Sequence, residues 1–484
     1  MNILLISPEV APLAKTGGLA DVAGALPREL RRLGHDVRVI LPYYRVTRAK
    51  GLSLSGDAWP VEAVIGGELR RGLVRETRLG DVPVYLLEHD AYFDRAELYG
   101  TADGDYPDNA QRFGFFCRAV LDFVRHGPFQ PQVLHLNDWQ TGLIPVLLRN
   151  ELAADPFYAG IGTLLTIHNL GYQGLFPAAS MGTLGLAAEL FRIDGLEYYG
   201  QLSFLKGGVI FADVLNTVSP TYCREIQQPE LGHGFDGILR SRTQDLYGVL
   251  NGLDAAMWDP AGDAALTAHY DAADLRGKNR CKRALQRELG LEINAALPVV
   301  AMVTRLDPQK GLDLVEAAWD KLLARPLQLV LLGSGERGLM ERFAARGETS
   351  AGRAAVRLTF DDGLARRIYA GSDLFLMPSR YEPCGLGQLI ALRYGSVPLV
   401  RRTGGLADTV SDVDRDPASG NGFCFDALDT ESLLGAVDRA LGHFAEQRGW
   451  RQLVRRGMRA DLSWQCSADR YLELYAKSRG QTDD

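Results

Sequence analysis

The 484-residue sequence has no apolar run able to span a membrane, no paired cysteines, no surplus of positive charge and very little lysine. Residues 156–188 carry no Asp, Glu, Lys or Arg. Six glycines, two prolines and the polar His168, Asn169 and Gln173 interrupt that stretch, which excludes a membrane span. The six cysteines, Cys117, Cys223, Cys281, Cys384, Cys424 and Cys466, form no C-x-x-C pair. That excludes a disulfide scaffold or a zinc module and suits a reducing compartment. The first apolar run, residues 3–6, has no basic segment before it and reads as a buried strand rather than a secretion signal, so a cytoplasmic location is expected. Net charge is −7, which argues against a nucleic acid or an acidic membrane as partner. An anionic ligand would have to be held by a few placed cations. There is no Walker A pattern, no H-E-x-x-H and no EF-hand loop, and Asp412-Val413-Asp414 has no further ligands nearby in sequence. Neither a nucleotide triphosphatase nor a metal site is expected.

What is present is a regular alternation of short apolar, β-branched runs with helical patterns. Strands are expected at 3–6, 37–41, 84–87, 133–136 and 164–167, and again at 299–303, 328–332, 355–359, 374–377 and 397–400. Continuous apolar strands between helices imply parallel sheets covered on both faces. A polar, Ala/Asp-rich stretch at about 255–294 separates the two series. The expected fold class is α/β, with two doubly wound, Rossmann-like domains facing a cleft, divided at 250/251. In such sheets the chemistry lies in the loops after the strands.

Thr-Gly-Gly-Leu-Ala-Asp occurs twice, at 16–21 and 403–408, each copy preceded by a cation, Lys15 or Arg402. Glycines at the start of a helix let backbone N–H groups approach an anion. Gly17 and Gly18 in one copy, with Thr403, Gly404 and Gly405 in the other, are therefore read as two facing jaws of one anion site.

Basic residues are 45 Arg and 8 Lys. A chain that uses arginine so heavily should keep lysine where a compact point charge is needed. Lys15, Lys206 and Lys310 stand beside or near glycine in loops. A helix C-terminal cation explains Lys206 as well as a functional role does, and explains Lys15 and Lys310 poorly. Arg305 and Lys310 leave one expected strand end within a single loop, a clamp suited to a diphosphate and able to do the work of a metal. Gly333-Ser334-Gly335-Glu336-Arg337-Gly338 matches a dinucleotide fingerprint, with Asp361 at the expected end of the next strand. Its place in the second unit of the second domain makes it a nucleotide-facing turn rather than evidence of a dehydrogenase.

Glu382 follows the strand at 374–377 in Ser379-Arg380-Tyr381-Glu382-Pro383-Cys384-Gly385. It reads either as a helix N-terminal charge or as a carboxylate facing a sugar. His168 ends one strand of the first domain, and His135-Leu136-Asn137-Asp138-Trp139 ends another. Asp138 and His168 at strand ends facing Glu382 make a constellation suited to glycosyl transfer.

These residues carry a resemblance. Glu9-x-x-Pro12-x-x-Lys15-x-Gly-Gly-Leu, Asn137-Asp138-Trp139, Thr166-Ile-His-Asn169, Ser203-Phe-Leu-Lys206 and Val218-Ser-Pro-Thr-Tyr222 resemble bacterial glycogen synthases and plant starch synthases. So do Asn251-Gly-Leu-Asp254, Arg305-Leu-x-x-Gln-Lys-Gly311, Ser379-Arg-Tyr-Glu-Pro-Cys-Gly-Leu386 and Arg402-Thr-Gly-Gly-Leu406. The resemblance spans essentially the whole chain. It implies a two-domain GT-B glycosyltransferase, with residues 1–250 on the glucan acceptor side and 251–462 on the nucleotide-sugar donor side. A C-terminal helix, 463–484, would cross back to the first domain. The implied activity is transfer of glucose from ADP-glucose to the non-reducing 4-hydroxyl of an α-1,4-glucan, with retention and with no metal or cofactor.

By the same resemblance, Lys15, Arg305 and Lys310 bind the diphosphate. His168, Asn251 and Glu382 hold the glucose. Backbone at Cys384, Gly385, Leu386 and Thr403–Gly405 completes the site, and Asp138 lies near the reacting centre. Many members have His where Gln140 stands, so no role is assigned to Gln140. Ile390 occupies the position of a second Glu in other retaining transferases of this fold. A UDP-glucose donor or another retaining glucosyl transfer stays open as an alternative. So do a glycoside hydrolase built on Asp138 and Glu382, a non-catalytic glycan-binding protein, and a phosphorylase using Lys206 for pyridoxal phosphate.

Overall fold

Apolar runs with no polar alternation fold into strands covered on both faces, and both sheets of this chain are built around such strands. In the computed structural model, which describes residues 1–101 and 104–480, the chain divides into two units. One contains 1–218, 223–252 and the C-terminal segment from 464, and the other contains 219–222 and 253–463. The division thus falls two residues later than the expected 250/251, and one later at 463/464. Leu253 N–H donates to Leu462 O at 2.6 Å, which ties those two residues into the second unit. Residues 219–222 join it through Thr221, whose N–H and hydroxyl donate to the Asp408 carboxylate at 2.8 and 2.6 Å. Residues 481–484 of the expected C-terminal segment lie outside the described residues.

The first sheet has nine strands: β1 (Asn2–Ile6), β2 (Asp36–Pro42), β3 (Ala58–Ile65), β4 (Glu68–Leu79), β5 (Val82–Glu88), β6 (Val133–Asn137), β7 (Gly162–Ile167), β8 (Val214–Thr217) and β9 (Leu246–Gly248). Their order is β9-β8-β7-β6-β1-β2-β5-β4-β3. From β9 to β5 the pairing is parallel, as expected, but β3 and β4 form an antiparallel hairpin added to β5. That hairpin departs from the all-parallel expectation. Burial alternates along β3, with Val61, Ala63 and Ile65 buried and Glu62 and Val64 exposed, so this hairpin is covered on one face only.

The second sheet is wholly parallel: β10 (Val299–Val303), β11 (Gln328–Leu332), β12 (Ala354–Arg357), β13 (Leu374–Met377), β14 (Val397–Arg401) and β15 (Phe423–Phe425), in the order β12-β11-β10-β13-β14-β15. The polar 255–294 stretch is part of this domain. Its helix Arg276–Leu289 buries Cys281, Leu285 and Leu289 in the core. Strand β12 stops at Arg357, so Asp361 does not end it. Asp361 instead caps the helix Asp362–Gly371, accepting Leu364 N–H at 2.8 Å.

Helix Trp464–Ser478 belongs to the first unit. Tyr475 hydroxyl lies 2.8 Å from His135 Nδ1, His135 Nε2 lies 2.7 Å from Thr166 Oγ1, and Thr166 hydroxyl donates to Asn216 Oδ1 at 2.6 Å. Because Asn216 Oδ1 only accepts, the proton order is fixed: His135 Nε2–H donates to Thr166, and Tyr475 donates to Nδ1. Burial holds His135 neutral, its pKa lowered to about 3. It is a structural histidine that docks the last helix across β6, β7 and β8.

In each sheet the chain runs outward in opposite directions from one neighbouring strand pair, β1/β6 in the first and β10/β13 in the second. Ligands in doubly wound sheets bind at that switch point. The loops after these strands carry Lys15, Gly17, Gly18, Asp138, Arg305, Lys310, Glu382 and Cys384–Leu386, while His168, Asn251 and Thr403–Gly405 follow β7, β9 and β14.

Candidate active site

In the first domain the loop after β1 is organised by Glu9. Its carboxylate accepts Thr16 N–H at 2.5 Å, Thr16 hydroxyl at 2.6 Å, Gly17 N–H at 3.1 Å and Tyr99 hydroxyl at 2.8 Å. Two N–H groups of the first Thr-Gly-Gly are therefore already bonded to an internal anion, and Gly18 opens the helix Gly18–Arg32. Lys15 stands exposed beside this loop, its Nζ 2.7 Å from Asp21. The sequence motif contains Glu9 but does not reveal this role. The signal for it is an acidic residue in the loop three residues after β1.

Asp138 follows β6 with φ 56° and ψ −173°, a conformation that costs a non-glycine residue about 1–3 kcal/mol and collects at functional sites. Its carboxylate accepts His168 N–H at 2.7 Å, which joins the ends of β6 and β7. Burial raises the Asp138 pKa to about 7. Glu9 adds to the rise, while the N–H groups of His168 and Asn169 oppose it. His168 Nε2 lies 2.9 Å from Asn137 Oδ1. Asn137 Nδ2 donates to Ile6 O at 3.0 Å, so its oxygen faces the histidine and Nε2 carries the proton. Burial lowers the His168 pKa to about 3, which leaves Nδ1 an acceptor. Asn251 is buried, and its side-chain oxygen has no partner among the described residues.

In the second domain the loops after β10, β13 and β14 interlock. Gly311, with φ 64°, has Pro378 O only 2.1 Å from where a Cβ would stand. Arg380 N–H donates to Gln309 O at 2.8 Å. Lys310 Nζ reaches both Glu382 oxygens at 2.7 and 3.0 Å, and Ser379 hydroxyl donates to Glu382 Oε2 at 3.0 Å. Arg305 pairs with Asp307 at 3.4 Å and is half exposed. Arg305 and Lys310, expected as one clamp, thus engage different carboxylates here.

The second Thr-Gly-Gly presses on Glu382. A Cβ on Gly404 would stand 1.9 Å from Glu382 O, one on Gly405 would stand 2.1 Å from Cys384 O, and Gly405 N–H donates to Glu382 O at 3.0 Å. Thr403 is buried, Gly385 has φ 77°, and Leu386 precedes the helix Gly387–Arg393. Glu382 lies five residues before that helix, so the helix-N-terminal reading fails. The two hexapeptides also differ: the first opens a 15-residue helix and the second a helix of 6 residues.

The dinucleotide-like turn has a packing explanation. Cβ atoms on Gly333 and Gly335 would meet Thr304 O and Leu306 O at 1.8 and 2.2 Å, so the glycines let this turn lie against the Arg305 loop. Lys206 sits in the first turn of the helix Phe204–Phe211, not at a C-terminus, and its Nζ donates to Ile193 O at 2.5 Å and to Glu197 O. Asp412 and Asp414 are bonded to Arg439, and Asp414 also to His443. Gln140 is buried with its side-chain oxygen unpartnered among the described residues.

Two Rossmann-like domains with polar loops at both switch points define a glycosyltransferase of the GT-B class. Residues 2–241 match the family model for the starch synthase catalytic domain, and residues 290–452 that for glycosyl transferases group 1. The chain is 60% identical to the glycogen synthase of Syntrophotalea carbinolica over 99% of both chains, and 51% identical to that of Geotalea daltonii over 98% of both. It belongs to the glycogen synthase family. Its fold superposes on the catalytic domain of starch synthase IV from Arabidopsis thaliana, bound to ADP and acarbose, with TM-score 0.91, 36% identity and 99% of each chain covered. Sucrose-phosphate synthase from Thermosynechococcus elongatus, 18% identical with TM-score 0.61, shares the fold. No helix among the described residues is long and apolar enough to cross a membrane.

Proposed function

We propose that the chain transfers glucose from ADP-glucose to the 4-hydroxyl at the non-reducing end of an α-1,4-glucan, with retention, in the cytoplasm and without metal or coenzyme. The observation that carries this reading is the Lys310–Glu382 pair at the β10/β13 switch point. A cation suited to a departing diphosphate, next to a carboxylate suited to a sugar, supports it. The starch synthase IV likeness supports an adenine nucleotide and a glucan-like ligand, since that protein's structure holds ADP and acarbose.

In this reading the second domain carries the donor and the first the acceptor. Lys15, Arg305 and Lys310 neutralise the diphosphate, and Glu382, neutral His168 and Asn251 hold the glucose hydroxyls. Backbone of Gly17–Gly18, Cys384–Leu386 and Thr403–Gly405 lines the site. The bond from the sugar's anomeric carbon to the diphosphate breaks, the bond to the acceptor oxygen forms, and the hydroxyl proton leaves with the diphosphate. Ionised Asp138 faces the positive charge that develops on the sugar. A metal would be redundant where three cations meet the leaving group.

Incubation with ADP-glucose and a maltooligosaccharide in the presence of EDTA should release ADP and lengthen the glucan. Faster release from UDP-glucose would change the donor assignment. No nucleotide release from either donor would overturn the transferase reading.

A further inference from the structure

Away from these loops, the first domain carries a small antiparallel sheet of Leu175–Pro177, Gln201–Ser203 and Glu197–Tyr198. Tyr198 pairs with Gln201, so Tyr199-Gly200 is a two-residue hairpin turn. Both residues have positive φ, 49° and 78°, as a type I′ turn requires. Asn or Gly is the residue favoured at the first of these positions, because a bulky side chain there strains the backbone. Nor does burial offset the strain: Tyr199 is 80% exposed.

Its neighbour Tyr198 is turned inward. The Tyr198 hydroxyl donates to His233 O at 2.6 Å and its ring lies 4.8 Å from Phe235. The Tyr199 ring stands edge-on to Tyr198 at 4.8 Å and 85°, and lies over Gly234, whose φ is 81°. Gln173 also donates to His233 O, at 3.0 Å, and Tyr172 before it is 54% exposed. The small sheet packs against the residue that follows Asp138. Trp139, next to Asp138, lies 5.6 Å from Phe176 in the same small sheet and fills the space beside Gly174.

We infer that Tyr199 is a stacking platform that holds the α-1,4-glucan polymer outside the reacting position, an inference that rests on the glucan-transfer reading above. An exposed aromatic ring matches the C–H face of a glucose ring, and the Glu197 carboxylate, which accepts Gly200 N–H at 2.7 Å in the same turn, repels an anionic nucleotide. The strained turn is the cost of presenting that ring at the tip.

The test compares wild type with Tyr199→Asn, which suits the turn, and Tyr199→Trp, which keeps an aromatic face. Affinity electrophoresis in glycogen-containing gels should show wild type and Tyr199→Trp retarded and Tyr199→Asn running freely. The glycogen KM of Tyr199→Asn should rise about tenfold, the scale of one stacking contact. Its maltotriose turnover and melting temperature should not fall, and its ADP-glucose KM should stay unchanged. Unchanged glycogen retardation in Tyr199→Asn, or no retardation of wild type, would overturn the platform. So would a change of oligomeric state in Tyr199→Asn with glycogen binding intact, because Tyr199 would then be a contact between copies. Retardation lost in Tyr199→Asn, with no nucleotide released by wild type, would uphold the platform while the transfer reading fell.

Discussion

Lys310 Nζ sits 2.7 Å from one carboxylate oxygen of Glu382 and 3.0 Å from the other, with both side chains largely withdrawn from water. Breaking such a pair from one side leaves an uncompensated charge and costs about 3 kcal/mol, whereas removing both charges costs much less. Lys310→Ala should therefore lower stability in urea unfolding, and Lys310→Ala combined with Glu382→Gln should recover at least half of the loss. Strict additivity would show that the pair carries no energy. Lys310→Ala should also weaken ADP binding by about tenfold or more, as loss of a charge-assisted hydrogen bond does, and calorimetry would read this directly.

Asp138 is held up to about 7 by burial, with Glu9 adding to the rise. If the ionised form faces a positive sugar carbon, turnover should increase with pH along a limb centred near 7. Glu9→Gln removes one negative charge at nearly the same volume, at the cost of the two hydrogen bonds its NH2 group cannot accept, so that limb should move to lower pH. A profile identical in wild type and Glu9→Gln would sever the link between the two carboxylates.

The Glu9 connection shows where sequence reading stops. Parallel strands and their loops follow from apolar runs of four or five residues, and the switch-point loops bring Asp138 to His168 and Lys310 to Glu382. The β3–β4 hairpin is not legible as part of a parallel sheet because its solvent face carries Glu62, Arg71 and Arg75 in alternation with apolar positions. Of the lysines singled out by their scarcity, Lys310 is enclosed beside Glu382 and Lys15 is exposed, while Lys206, like Lys278, bonds to backbone carbonyls. Lys278 Nζ donates to Ala370, Ser372 and Tyr394 carbonyls at 3.1, 2.9 and 2.9 Å, a convergence of distant segments that no local pattern encodes. His135 and His168 look alike in sequence, one within and one just after a short apolar strand. Only the partners, Tyr475 for one and Asn137 with Asp138 for the other, separate the structural histidine from the candidate one.

The two Thr-Gly-Gly copies should respond differently to alanine. Gly17 has φ −148° and no heavy atom within 4 Å of a new Cβ, so Gly17→Ala should keep wild-type stability. Gly404 has φ 44°, and its Cβ would press into Glu382 O at 1.9 Å. Gly404→Ala should lose about 1–3 kcal/mol and displace the Glu382 loop, with turnover falling alongside. Equal thermal stability of the two variants would mean that the second loop gives way without cost.

Acid stability follows from the buried groups of the first domain. His135 and His168 have pKa values lowered to about 3 from 6.5, so between these values the unfolded chain binds two more protons than the native one. Asp138, raised to about 7 from 3.8, acts oppositely: the native state holds one more proton over most of the same range. The net from the three groups is one proton in favour of unfolding, and stability rises with pH from about 4 to 6.5. His89 and His233, also lowered by burial, act in the same sense as the other histidines. Asp138→Asn removes the opposing group. Its stability should climb more steeply than wild type across this window, by one proton or about 1.4 kcal/mol per pH unit, in urea titrations at a series of pH values. Parallel curves for the two proteins would mean that Asp138 is ionised throughout, and its burial would then be compensated by the His168 and Asn169 N–H groups.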